Sequence, residues 1–344
     1  MNRPEIINTT EPNLICKNTL ASFYFFAFAV LLNGTAFAVT PDAGTSLRDT
    51  TTPTIELPAA IPGPNLQAPA IIEGVSGGTE ITVQTISFTG NTQYTNAALS
   101  SVLADAIGKT YDLAGLKGLT NRITSYYRSH GFTFSRALLP VQAMTNGALV
   151  IKIIEGRYDS IRAIGDGKHA ARAQVFLNDL QTGEVIQSAN LERTALILAD
   201  QPGFKVTPLL RPGQKIGTGD LIMNVERDTY YSGALGLDNH GNRYTGRWRG
   251  RLDLNIYSPF LFGDKLQLNT LYSEEHLRVG SLNYSLPLGG SGLRARASYT
   301  HVSYKLGKEF ASAKLHGTAK VSSIGLSYPI IRSQQTNLSV AGTY

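Results

Sequence analysis

The sequence predicts two small α+β modules followed by the N-terminal part of an antiparallel transmembrane β-barrel. Three observations carry that expectation. In Tyr230–Tyr344, apolar and polar residues alternate in runs of about ten separated by turn signals, the pattern of membrane strands. Upstream, a strand-helix-helix-strand-strand order occurs twice at a spacing of about 75 residues. Charged residues make up only 16% of the chain, against about a quarter in soluble proteins. No apolar run of roughly twenty residues follows the N-terminus, so any spanning part is built of strands.

Residues 1–38 read as a signal peptide: Arg3 and Lys17, an apolar run from Leu20 to Leu32, then Ala36-Phe37-Ala38 as a small-x-small cleavage site. Cys16 is the one cysteine and precedes the apolar run, so the mature chain is expected to hold none. The net charge of +6 survives cleavage, because Arg3 and Lys17 balance Glu5 and Glu11. Residues 39–78, rich in Pro and Thr, form an extended linker.

The first module, residues 79–156, opens with a strand from Ile81 to Phe88 and a helix from Asn96 to Ile107. A second helix starts at an Asp112 N-cap and ends at Gly131; strands Phe132–Leu139 and Ala148–Glu155 complete the unit. The second module, residues 157–228, repeats the order with strand Tyr158–Ile164, helices Ala170–Leu180 and Leu191–Ala199, and strands Phe204–Leu210 and Asp220–Glu226.

Residues 229–344 hold about seven barrel strands, the last from Asn337 to Tyr344. In Arg247–Tyr257, Trp248, Leu252, Leu254 and Ile256 share one face, and Arg247, Arg249, Arg251 and Asp253 share the other. Arg294 and Arg296 alternate in the same way. These six charged residues are expected to line the pore and keep it wet and lightly cationic. Turns at Pro259–Asp264, Leu288–Gly292 and Arg332–Thr336 are short and belong on the module side, and the alternation slips near Gly280-Ser281, as a bulge would make it.

The run Tyr127-Arg128-Ser129-His130-Gly131-Phe132, then Ala137-Leu138-Leu139-Pro140 and Glu155-Gly156-Arg157, resembles the first polypeptide-transport-associated (POTRA) domain of two-partner secretion transporters. These haemolysin and adhesin exporters form the haemolysin secretion/activation family of the Omp85 superfamily. The second module is similar to that family's second POTRA domain, of ShlB type, through Leu191-Glu192-Arg193, Gln201-Pro202-Gly203 and Gly217-x-Gly219-Asp220-Leu221. In the barrel, Asp238-Asn239-x-Gly241-x-Arg243, Tyr284-Ser285-Leu286-Pro287 and Tyr328-Pro329-x-Ile331-Arg332-Ser333 fit as well.

The resemblance implies an outer-membrane translocator with its POTRA domains in the bacterial periplasm. Its partners would be an unfolded, haemolysin- or adhesin-like exoprotein and outer-membrane lipid. It also implies that the strand after the two helices lies at a sheet edge, open to a client strand. Thr133, Phe134, Ser135, Arg136, Ala137 and Leu138 would serve in the first module, and Phe204, Lys205, Val206 and Thr207 in the second. The family barrel is larger and closed, so the chain is expected to be C-terminally truncated. Rival readings are a barrel-assembly factor of the same architecture and a soluble periplasmic POTRA chaperone with a vestigial barrel.

Catalysis finds no constellation to carry it. Gly165-Asp166-Gly167-Lys168 lacks the remaining spacing of a phosphate loop, His240 has no second ligand nearby, and Glu274-Glu275-His276 falls in a hairpin. The arginines are scattered along strands and form no nucleic-acid patch. No enzyme activity, cofactor, metal, nucleic acid or small-molecule substrate is expected.

Overall fold

The computed structural model describes Gly77 and residues 79–344 apart from Met144. The expected signal peptide over residues 1–38 and the expected linker over 39–78, Gly77 excepted, lie outside the described residues. In the first module β1 (Ile81–Thr82) pairs with β3 (Thr110–Tyr111). Strands β2 (Thr85–Thr89), β4 (Arg136–Leu138) and β5 (Ala148–Ile154) form a sheet with β5 central, parallel to β2 and antiparallel to β4. The strand expected from Ile81 to Phe88 therefore breaks at Val83, which is fully buried and gives its N–H to Lys109 O.

Helices α1 (Asn96–Val102) and α2 (Leu113–Ser129) pack on that sheet. α2 starts at its expected cap, where Asp112 Oδ1 accepts the N–H of Gly115 at 2.8 Å. Leu116, Leu119, Ile123 and Tyr127, three and four residues apart, are buried on the side that meets Leu149 and Ile151. α1 stops at Val102, short of the expected Ile107, and a 3-10 turn, Ala104–Ala106, follows.

The second module repeats the topology. β6 (Arg157–Gly165) runs parallel to a central β8 (Thr218–Arg227), and β7 (Phe204–Pro212) lies antiparallel at the edge. α3 (Gly167–Ala173) passes into a 3-10 turn, Gln174–Leu177, and α4 (Ser188–Ala199) completes the unit over Leu221 and Met223. The common strand order supports the repeat that the sequence shows only as element order.

The remaining strands form a meander, each antiparallel to the next: β9 (Tyr231–Asp238), β10 (Arg249–Tyr257), β11 (Lys265–Ser273), β12 (Arg278–Pro287), β13 (Arg294–Lys305), β14 (His316–Arg332) and β15 (Asn337–Thr343). The sheet is open, with β9 and β15 at its edges. Register is continuous through Gly280 and Ser281, which corrects the expected bulge there. The apparent slip arises because Gly280 takes an outward position without an apolar side chain. The irregularity lies instead between Pro329 and Ile331, where a proline interrupts pairing with β15.

Register assigns the two faces. Leu235 and Leu237, Leu252 and Leu254, Leu268 and Tyr272, Leu282, Tyr299, Ile324 and Leu326 share one, and most are well exposed. Asp253, Asn255, Gln267, Asn269, Ser281, Asn283, Ser298 and Ser323 share the other. The first is a lipid-facing band and the second a lumen wall. Leu252→Arg should accordingly cost about 2–4 kcal/mol and deplete the folded, heat-modifiable band of the full-length protein in membranes. Asn269→Arg, one strand away on the lumen side, should leave that band in place; equal behaviour of the two variants would reverse the assignment of faces.

Candidate functional site: edge strands, barrel mouth and lumen wall

The Glu155-Gly156-Arg157 run joins the modules. Glu155 is buried, and its carboxylate accepts the N–H groups of Thr92 and Gln93 at 2.7 and 2.9 Å, the Thr92 hydroxyl at 2.5 Å and the Tyr127 hydroxyl at 3.1 Å. Arg157 Nη2 adds an ion pair at 2.9 Å. A Cβ at Gly156 would stand 2.7 Å from Phe134 Cβ and 2.9 Å from Phe134 O, so only glycine lets these segments meet. Phe134 thereby packs against the second module's core. Ser188 ties the joint further, its N–H to Gly131 O at 2.9 Å and its hydroxyl to Thr133 Oγ1 at 2.7 Å.

This joint decides where the expected client-binding residues lie. Thr133 and Phe134 are engaged between the modules, and Ser135 is buried after a turn in which its N–H reaches Phe132 O at 3.0 Å. Only Arg136, Ala137 and Leu138 form the edge strand β4. The N–H of Ala137 is already taken by Thr124 Oγ1 of α2 at 3.0 Å. The strand expected over Phe132–Leu139 is thus shortened by the joint. In the second module, Phe204, Lys205, Val206 and Thr207 open the nine-residue edge strand β7, with Phe204 and Val206 inward and Lys205 and Thr207 exposed. Pro208 and Pro212 are compatible with this strand because it lies at an edge.

β7 begins at the barrel mouth, where all three module-side turns dock on the second module. Phe262, from the first turn, is buried in that module's core, its ring stacked on Phe204 at 4.4 Å and 5.8 Å from Phe176. At the second turn, Gly290 lies against the backbone of Val175 and Phe176. At the third, Arg332 holds Asp200 through two bonds of 2.7 Å, and the Gln334 N–H reaches Glu192 at 2.7 Å. Arg193 Nη2 donates to Pro329 O at 2.8 Å.

The Gln201-Pro202-Gly203 run serves the same joint. Gln201 donates to Ile197 O at 2.7 Å and accepts from Arg294 Nη1 at 3.0 Å, and Arg294 also reaches Gly263 O at 2.7 Å. Gly203 has φ +83°, and a Cβ there would come 2.6 Å from Thr229 O. None of these joining roles is visible in the sequence, although Gln201 and Arg332 sit in runs that mark the resemblance.

The six expected pore residues separate into groups. Arg249 and Arg251 share Asp238 at the outer end, through contacts of 2.7 and 3.0 Å, and Arg249 is buried. Arg247 lies beyond β10 in the outer connection, its N–H on Glu274 Oε1 at 3.1 Å. Arg294 belongs to the module-side mouth, with Arg296 two residues further along the lumen face. Asp253 sits mid-wall and accepts from Asn269 at 2.5 Å. The middle of the wall otherwise carries amides and hydroxyls such as Asn255, Asn269, Ser298 and Ser323. Cations gather at the two rims, and the span between them carries neutral polar groups and the carboxylate of Asp253.

Comparison with known proteins accounts for this architecture. The family model described as "POTRA domain, ShlB-type" matches residues 81–156, the first module, and that described as "Haemolysin secretion/activation protein ShlB/FhaC/HecB" matches residues 217–344. The chain carries a ShlB-type POTRA domain and a haemolysin secretion/activation domain. It is 29% identical over 255 residues to the heme/hemopexin transporter protein HuxB of Haemophilus influenzae (strain 86-028NP), a match over 72% of this chain and 45% of that protein. It is 24% identical over 275 residues to the outer membrane transporter CdiB of Escherichia coli, over 78% of this chain and 47% of CdiB.

The solved structure of CdiB from Escherichia coli superposes with a TM-score of 0.65 at 22% identity, covering 82% of this chain and 53% of that one, and so shares the fold. The chain spans about half the length of the curated relatives it matches. The seven-stranded sheet is a partial outer-membrane barrel, and the modules are periplasmic.

Proposed function

We propose that the protein exports an unfolded exoprotein, haemolysin- or adhesin-like, through its barrel without acting as an enzyme. The observation that carries this reading is the course of β7, an edge strand leading from the module joint to the barrel mouth. At one end Phe204 stacks on Phe262 of the barrel turn; at the other, Gly217, in the turn after β7, touches Ile154 of the first module. An incoming extended segment would add to this edge through main-chain hydrogen bonds, which tolerate many client sequences, with Lys205 and Thr207 flanking it. β4 is the weaker capture edge, because it is short and its Ala137 N–H is occupied.

From the mouth the client would pass Arg294 and Arg296 and then a wall of amides and hydroxyls, which wets an extended chain without binding it tightly. Folding of the client outside would supply the direction. Deleting the gene in the parent bacterium and comparing extracellular proteins tests the proposal. Loss of an exoprotein from the medium, restored by the wild-type gene, is expected; an unchanged set of extracellular proteins would overturn export.

A further inference from the structure

The lipid-facing side of the sheet carries, at its module end, a cavity of about 440 Å³. Tyr231 at the start of β9 and Tyr230 just before it, Leu254 and Ile256 of β10, and His169 and Arg227 of the second module line it. Leu254 and Ile256 share the outward face with Leu235 and Leu237, so one wall continues the band that meets acyl chains. Tyrosines at this level are ordinary interface anchors.

The opposite wall is cationic. The Arg227 guanidinium lies between the rings of Tyr230, at 4.3 Å, and Phe204, at 4.8 Å, and its Nη2 donates to the Tyr257 carbonyl. That sandwich fixes the plane of the group. Its Nε and Nη1 are buried without a hydrogen-bond partner among the described residues, as is Nδ1 of His169. Buried donors of a charged group are costly to leave unmade, and no carboxylate lines the cavity to take them.

We propose that this cavity binds one phospholipid of the periplasm-facing leaflet, its phosphate against the Arg227 guanidinium beside His169 and an acyl chain along Leu254 and Ile256. A permanently charged, weakly hydrated guanidinium favours a phosphate, and the apolar wall selects a lipid over a free anion. Because Arg227 ends β8 and its ring partner Phe204 begins β7, the bound lipid would pin the client edge of the second module at the membrane surface.

Native mass spectrometry of the full-length protein in mild detergent tests this, with phosphatidylglycerol, a diacylglycerol of the same chains and inorganic phosphate as separate probes. One phosphatidylglycerol should be retained and the diacylglycerol lost, with no displacement by inorganic phosphate. Arg227→Gln should weaken retention by at least about tenfold. Equal retention by the variant, or of the diacylglycerol, would overturn the site, and binding of inorganic phosphate as tight as the lipid's would make it a free-anion site instead. Should Arg227→Gln not yield the heat-modifiable folded band, Arg227→Lys, which keeps the charge but loses the planar group held between the two rings, reads the same ratio.

Discussion

Phe262→Ala is expected to weaken the docking of the second module on the barrel by about 3–5 kcal/mol, the usual cost of emptying a buried phenylalanine site. The side chain is buried among Phe204, Phe176 and His169, although its backbone belongs to a barrel turn. Its loss therefore opens a cavity at the joint itself. The polar contacts that remain are unequal. Arg332 is buried and grips Asp200 with two bonds, whereas two of the three Arg193 contacts are exposed and the third is only partly buried.

The module should stay attached on average but rock about the Arg332 end. Spin labels at the exposed Lys215 and Lys320 would report this as a broadened distance distribution in Phe262→Ala. Phe260→Ala, in the same turn at a position 68% exposed, should leave the distribution as in the wild type, within about 0.5 kcal/mol of its stability. A narrow distribution in Phe262→Ala would mean that the polar contacts alone hold the joint.

The seven strands were legible because a barrel wall has two unlike solvents: Leu252 and Leu254 must meet lipid while Asp253 and Asn255 meet the lumen, and that demand writes itself into a period of two. The helix start at Asp112 was legible because a cap acts over three residues. What the period does not show is where a strand ends. Arg247 has the phase of Arg249 yet lies in a connection, and the strand expected from Phe132 gives way to a turn that carries Phe134 into the neighbouring module.

The joint was illegible for a related reason. Phe262, Gln201 and Arg332 satisfy partners distant in the chain, so nothing beside them in sequence distinguishes an anchoring phenylalanine from the exposed Phe260 two residues earlier. Likewise the regular placement of arginines suggested an evenly cationic lumen. Only the register and the carboxylate of Asp238 show that the outer arginines are drawn to one rim.

Glu155→Ala should destabilise the first module by about 3–5 kcal/mol, because it leaves the donors of Thr92, Gln93 and Tyr127 without their acceptor, while Arg157 keeps only the Gly183 carbonyl and the Thr92 hydroxyl. Burial by itself pushes the Glu155 carboxyl up. The Thr92 hydroxyl, the Gln93 and Thr92 N–H groups and the Tyr127 hydroxyl together outweigh that effect and hold it below its ordinary value of 4.5. With the folded-state value depressed, the stabilisation is complete above the ordinary value and is lost as pH falls through the depressed one. Wild-type protein should therefore show faster hydrogen exchange at core amides such as those of Leu149 and Ile151 as the pH is lowered below about 4.5, after correction for the intrinsic rate.

Glu155→Gln separates charge from shape. Its amide oxygen can keep the bonds made at Oε1, but its amide nitrogen would face Arg157 donor to donor, at a cost of about 2 kcal/mol. The variant should begin less protected at neutral pH and lose the acid-dependent step. A Glu155→Gln profile with the same acid step as the wild type would assign that step to another carboxylate. Since Phe134 enters the second module beside Gly156, loss of protection in the variant should extend to the module joint, where the Ser188 N–H bonds Gly131 O.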